Sequence, residues 1–147
     1  MKRIHVNLTV ADLEASVKFY SDLFAAHPTV QRDDYAKWLV DDPRVNFAIS
    51  THGKLGLSHL GIQAESPQEL IDLQSRMGQH MSATAETTCC YAKGRKGWAH
   101  DPQGIAWEGF LTEKDGLETF GEGRMPQAPV TAEQPLVQAC GANSSCC

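Results

Sequence analysis

The chain contains one unit twice. His5-Val6-Asn7-Leu8-Thr9-Val10 can be set over His59-Leu60-Gly61-Ile62-Gln63-Ala64, and both stretches alternate as a strand does from a leading histidine. In the first, Ile4, Val6, Leu8 and Val10 alternate with His5, Asn7 and Thr9. In the second, Leu60 and Ile62 alternate with His59, Gly61 and Gln63. Each histidine therefore lies on the face opposite the main apolar row. A repeat of this length means two copies of one supersecondary unit. Each copy alone leaves a sheet face uncovered, so the two must pack or pair.

A helix follows each of these strands. The spacing predicts the first from about Asp12 to Phe24, with Leu13, Val17, Tyr20, Leu23 and Phe24 as one apolar stripe and Asp12 as cap. The second opens on Ser66-Pro67-Gln68-Glu69, a capping box with proline at the first helical position. Leu70, Leu73 and Met77 form its stripe, and Gly78 is its stop. Three short strands follow each helix, near 28–32, 35–40 and 44–51 in the first copy and 83–90, 94–100 and 104–111 in the second. Asp42-Pro43 and Asp101-Pro102 introduce the last strand of each, and Phe47-Ala48 matches Trp107-Glu108. The expected class is α+β, two tandem βαβββ modules over about 3–52 and 56–112 in one domain spanning 1–115. Beyond that, Gly116, Gly121, Gly123, Pro126, Pro129, Pro135 and Gly141 occur with little periodicity. Residues 120–147 are expected to form a flexible, cysteine-containing tail.

The repeat makes the polar residues informative. A pseudo-twofold axis would place His5 and His59 on opposite sides of one central point. Glu108 lies on the last strand of the second copy between Trp107 and Phe110, where an unpaired charge is costly. Its counterpart in the first copy is Ala48, which cannot ligate. Two imidazoles and one carboxylate with an open corner suit non-haem Fe(II) and oxygen chemistry, and also accommodate Mn(II) or Zn(II). Three ligands fit a catalytic site better than a structural one, which is usually closed by four. His27 and His52 read as turn residues, His80 has no counterpart, and His100, before Asp101-Pro102, is a candidate neighbour of the ligands.

Composition bounds the rest. The chain has 147 residues, enough for a core, and a net charge of −5, which argues against nucleic acid as partner. No apolar run is long enough to span a membrane, and no signal peptide opens the sequence, so a cytoplasmic location is expected. The five cysteines, Cys89, Cys90, Cys140, Cys146 and Cys147, are odd in number and include two adjacent pairs. A disulfide framework spaces its cysteines; in a reducing compartment these are thiols with work in binding or chemistry.

Over about residues 3–111 the βαβββ repeat with His5, His59 and Glu108 resembles the vicinal oxygen chelate superfamily, which includes glyoxalase I, fosfomycin-modifying enzymes and extradiol dioxygenases. Thr87-Thr88-Cys89-Cys90-Tyr91-Ala92-Lys93, then Gly97-Trp98 and Trp107-Glu108-Gly109-Phe110, is similar to the Fe(II)-dependent organoarsenical carbon–arsenic lyases and to cadmium-inducible relatives. The resemblance implies Fe(II) at His5, His59 and Glu108, O₂ as co-substrate, and a trivalent organoarsenical, methyl or aromatic, bound through Cys89 and Cys90 and released as arsenite by a monomer or homodimer.

The thiol pair carries its own geometric demand. Adjacent residues of a strand point to opposite faces. Two sulfurs converge on one soft atom only if the backbone leaves the extended form, so Cys89-Cys90 is expected at a strand end or in a movable loop, with Gly94 and Gly97 lending freedom. Lys93, Arg95 and Lys96 would favour thiolate. Two alternatives stay open: a soft-metal (arsenic or cadmium) binding resistance protein without turnover, and a fosfomycin-type thiol transferase, which would have no use for the cysteine pair.

Overall fold

A computed structural model of the protein describes residues 1–121. The expected tail beyond that point, with Cys140, Cys146 and Cys147, lies outside the described residues. The chain runs β1 (Arg3–Thr9), α1 (Leu13–Phe24), β2 (Val30–Gln31), β3 (Tyr35–Asp41), β4 (Arg44–Ser50), then β5 (Gly56–Ala64), α2 (Pro67–Met77), β6 (Ala85–Cys89), β7 (Ala92–His100) and β8 (Ala106–Lys114). This is the βαβββ unit twice over.

Both helix starts follow from their caps. The Asp12 carboxylate accepts from Ala15 N at 2.9 Å, and Ser66 Oγ accepts from Glu69 N at 3.2 Å, so each satisfies a backbone donor the helix itself cannot. Pro67 occupies the first turn of α2, and Gly78, with φ 51°, ends it.

The eight strands form one mixed sheet in the order β2-β3-β4-β1-β5-β8-β7-β6. The modules join through β1 and β5, which pair antiparallel with His5 opposite Gly61 and Asn7 opposite His59. That register places a pseudo-twofold axis at the Val6–Leu60 pair. The axis relates two parallel pairs, β1–β4 with Asn7 beside Ala48 and β5–β8 with Gly61 beside Glu108. The structure thus makes Ala48 the counterpart of Glu108.

The two faces of the sheet differ in chemistry. On the outer face the helices cover apolar side chains: Ala36, Trp38, Phe47 and Ile49 pack against Val17, Tyr20 and Phe24 of α1, and Leu73, Met81 and Ala99 pack with Ile62, Met77 and Trp107 in the second module. On the inner face β1 buries His5, Asn7 and Thr9. The sheet curls so that residues from β3 at one end and β6 at the other line one cavity. After β8 the chain crosses back to the first module. Lys37 pairs with Asp115, and Phe120 packs with Tyr35 and Tyr91 across the mouth of the cavity. Among the described residues no helix is long and apolar enough to cross a membrane.

Candidate active site

His5, His59 and Glu108 come from three neighbouring strands, β1, β5 and β8, and all are buried. Their donor atoms meet at the pseudo-axis. His5 Nε2 lies 3.3 Å from His59 Nε2, and Glu108 Oε2 lies 3.9 Å from the first and 3.7 Å from the second. Ligand bonds of about 2.1 Å require donors roughly 3.0–3.5 Å apart, so the arrangement needs only slight contraction around an ion.

Hydrogen bonding favours the same reading. The His5 Nδ1–H donates to the Asn46 carbonyl at 2.9 Å, which leaves the Nε2 lone pair facing the other two donors. His59 Nδ1 contacts Ser58 Oγ at 3.1 Å, and in the matching tautomer its N–H donates there. Two imidazole lone pairs and a carboxylate pointing at one another repel unless a cation or a proton lies between them. Burial holds His5 below the usual imidazole range, with Glu108 opposing, and brings His59 down to about 4. Both rings are therefore neutral, the ligating state, near neutral pH. Ring edges brace them: Phe110 against His5 and Trp98 against His59, each at 5.2 Å.

Glu108 has a second partner. Its Oε1 forms an ion pair with Lys96, leaving Oε2 for the pseudo-axis. Burial pushes the Glu108 carboxyl up, but Lys96, His5 and His59 together hold it below its usual range. The donor set thus fits a divalent cation with one carboxylate oxygen. Ala48 leaves the fourth corner open.

The thiol pair stands at a strand end. Cys89 is the last residue of β6, and Cys90 and Tyr91 form a two-residue turn with φ 55° and 61°. Positive φ at both central positions belongs to the type I′ hairpin turn. It brings the sulfurs to 3.1 Å from each other. The expected source of freedom is different, however. Gly94 and Gly97 lie inside β7, where they admit neighbouring backbone: a Cβ at Gly94 would meet the Leu111 carbonyl oxygen at 2.1 Å. Hydrogen bonding between the sulfurs draws Cys89 down to about 7, with Lys96 assisting, and the same bond together with burial pushes Cys90 up. The pair titrates as a unit, one thiolate and one thiol near neutrality. All three basic residues in this stretch line the cavity, but Lys96 alone pairs with Glu108, whereas Lys93 and Arg95 pair with Glu86 and Glu113.

The triad and both cysteines line a single cavity of about 270 Å³. Tyr35, Trp98, Phe110 and Phe120 give it aromatic walls, and Asn7, Lys37 and Asn46 a polar side. Sequence reasoning did not single out Lys96 as the partner of Glu108, nor the Tyr91 hydroxyl, which donates to Asp34 of the first module. His100 lines a separate pocket with Met77 and Trp107.

Comparison with known proteins bears on this site. The family described as Glyoxalase/Bleomycin resistance protein/Dioxygenase superfamily matches residues 2–108. A trivalent organoarsenical cleaving enzyme of Bacillus sp. (strain MD1) is 42% identical over 120 residues, covering 77% of this chain and 74% of that one. The cadmium-induced protein CadI of Mycobacterium tuberculosis is 34% identical over 128 residues, covering 84% of each. Among solved structures, homoprotocatechuate 2,3-dioxygenase of Brevibacterium fuscum is similar in fold, with TM-score 0.54 and 16% identity over 80% of this chain and 38% of that one.

Proposed function

We infer the function from one premise: the chain belongs to the Glyoxalase/Bleomycin resistance protein/Dioxygenase superfamily. Within it, the chain acts as a carbon–arsenic lyase on trivalent organoarsenicals, methyl or aromatic, releasing arsenite with O₂ as co-substrate. The observation that carries this reading is that the triad and the thiol pair open onto the same cavity. The 42% identity to an organoarsenical-cleaving enzyme supports it.

Fe(II) held by His5, His59 and one oxygen of Glu108 would supply the redox chemistry toward O₂. The chain's own residues do the rest. The Cys89 thiolate attacks the arsenic first and displaces one of its hydroxyls as hydroxide, and Cys90 passes its proton to the second hydroxyl, which leaves as water as the chelate closes. The short cavity then holds the carbon–arsenic bond toward the triad, an effect of positioning. Lys96 keeps Glu108 turned so that a single oxygen is presented. The aromatic walls limit water. One O₂ per methylarsonous acid balances to formaldehyde and arsenous acid with no further reductant.

The test is anaerobic reconstitution with Fe(II), addition of methylarsonous acid, admission of air, and arsenic speciation. Arsenite should appear only when Fe(II) and O₂ are both present. His59→Ala should abolish turnover, and Cys89→Ser should weaken arsenical binding while sparing metal uptake. An arsenical that binds and returns unchanged would favour soft-element binding without turnover, a reading to which the similarity with the cadmium-induced relative lends weight.

A further inference from the structure

The turn that presents the thiols is held from the other module. Cys90 and Tyr91 are its central residues, with φ 55° and 61°, and neither is the glycine or asparagine such a turn favours. Backbone of this kind persists where surrounding contacts over-determine it. Those contacts converge on Tyr91. Its hydroxyl donates to Asp34 Oδ1, and His52 Nε2 meets Asp34 Oδ2 at 2.7 Å. Its ring lies 5.8 Å from Tyr35 and 5.5 Å from Phe120, with the Arg32 guanidinium 5.5 Å from the ring centre. Its carbonyl accepts from Leu117 N at 2.7 Å, and its N–H donates to Phe120 O at 3.4 Å. Asp34 is itself anchored, since its carbonyl accepts from Thr51 N at 3.0 Å.

We propose that Tyr91, Asp34 and His52 form a latch between the modules that keeps the sulfurs of Cys89 and Cys90 converged on the cavity. Tyr91 and Asp34 are then positioning residues for the bound soft element. This rests on the reading of the thiol pair as the arsenical's anchor. With the latch open, Cys90 and Tyr91 relax from positive φ toward the negative φ that non-glycine residues favour, and as the backbone extends the neighbouring side chains diverge. One sulfur then leaves the cavity, and a chelate becomes a single thiolate contact. The hydroxyl–carboxylate bond matters because a hydrogen bond to a charged acceptor is stronger than a neutral one.

The experiment uses the full chain and two readouts. Tyr91→Phe keeps the ring packing and removes only the hydroxyl; Asp34→Asn removes the charge. Amide hydrogen exchange followed by mass spectrometry should speed about tenfold over residues 89–92 and 117–121 in both variants, with the β1–β5 seam unchanged. Phenylarsonous acid should bind both about tenfold more weakly than wild type. Unchanged exchange in Tyr91→Phe would overturn the latch, whatever the arsenical does. Faster exchange with wild-type affinity would overturn the positioning role. If Cys89→Ser leaves binding of phenylarsonous acid by an otherwise wild-type chain intact, the thiol anchor is wrong and the positioning role falls with it, while the exchange data still decide whether the latch exists.

Discussion

Gly61 sets how close β8 comes to β5. A β-carbon there would lie 2.6 Å from the Glu108 carbonyl oxygen and 3.2 Å from Glu108 Cβ, and the first of these is backbone that cannot swing aside. Gly61→Ala is expected to displace Glu108 from His5 and His59. Overpacking of this kind costs about 1–3 kcal/mol. Calorimetric titration with Mn(II) should show affinity lower by about tenfold or more, and unchanged affinity would mean that the sheet yields elsewhere. Lys96 is the second residue with leverage. It is the cation nearest Cys89 in its effect, so Lys96→Gln should raise the Cys89 thiol above about 7. The thiolate is the nucleophile. Alkylation by iodoacetamide should therefore slow several-fold near neutral pH and recover at alkaline pH; an unaltered profile would assign the low value to the sulfur pair alone. His5, His59 and Glu108 were legible along the chain because the repeat aligns two of them and the apolar strand isolates the third. Gly61 was not, since its counterpart is Asn7 and its necessity arises from the β5–β8 register. Lys96 was half legible: taken as a run with Lys93 and Arg95 it reads as a solvated turn, and only the pairing of Trp98 with Glu108 puts it on the ligand face.

The modules share a backbone plan and differ in how they are filled. The register matches Trp38 with Ala99, Phe47 with Trp107 and Ile49 with Gly109. Under α1, Trp38 is fully buried among Tyr20, Phe24 and Phe47, and its Nε1–H donates to the Ala26 carbonyl at 3.1 Å. Under α2 the smaller side chains leave a pocket of about 510 Å³ lined by Leu73, Met77, Met81, Ala99 and Trp107. Opposite outcomes follow for substitutions at equivalent places. Trp38→Ala should lose about 3–5 kcal/mol, enough to unfold much of a marginal domain. Ala99→Val should instead gain about 0.5–1.5 kcal/mol by occupying space already present, raising the melting temperature by a few degrees. A loss on Ala99→Val would mean the pocket wall is rigid and cannot take the extra methyl groups. Helix positions were legible because caps and stripes are local signals. The pocket was not, because it is a difference between two cores that appears only when strands β3 and β7 are laid on their partners. The thiol turn lies between these cases. The need to leave the strand was readable from Cys89-Cys90, but the contact to the turn comes from Asp34, 57 residues before Tyr91, and no period in the sequence links the two.

The site at the seam ties the stability of the whole molecule to pH. Folding places His5 and His59 where burial lowers both imidazoles, His59 to about 4, whereas in the unfolded chain they titrate near 6.5. Below about 6.5 the unfolded chain takes up protons that the folded chain refuses. The folded state is then disfavoured, and stability falls as pH drops from about 6.5 toward 4, at up to about 1.4 kcal/mol per pH unit for each imidazole. Glu108, held below its ordinary 4.5, keeps its own contribution down to about that pH and loses it progressively below. A divalent ion held by the neutral imidazoles would add stability as its concentration exceeds its dissociation constant, by about 2.7 kcal/mol at a hundredfold excess. Protons compete for the same lone pairs, so that increment should shrink over the same interval. Thermal melts of the metal-free chain at about pH 7.5, 6 and 5 should show a progressive fall in midpoint. Added Mn(II) should raise the midpoint most at the highest pH. In the variant His5→Gln, His59→Gln both effects should flatten, because an amide fills much of the imidazole's place and takes up no proton. A variant that loses stability with pH as wild type does would move the origin of acid sensitivity away from the seam, and the donor cluster would then no longer govern how the two modules hold together.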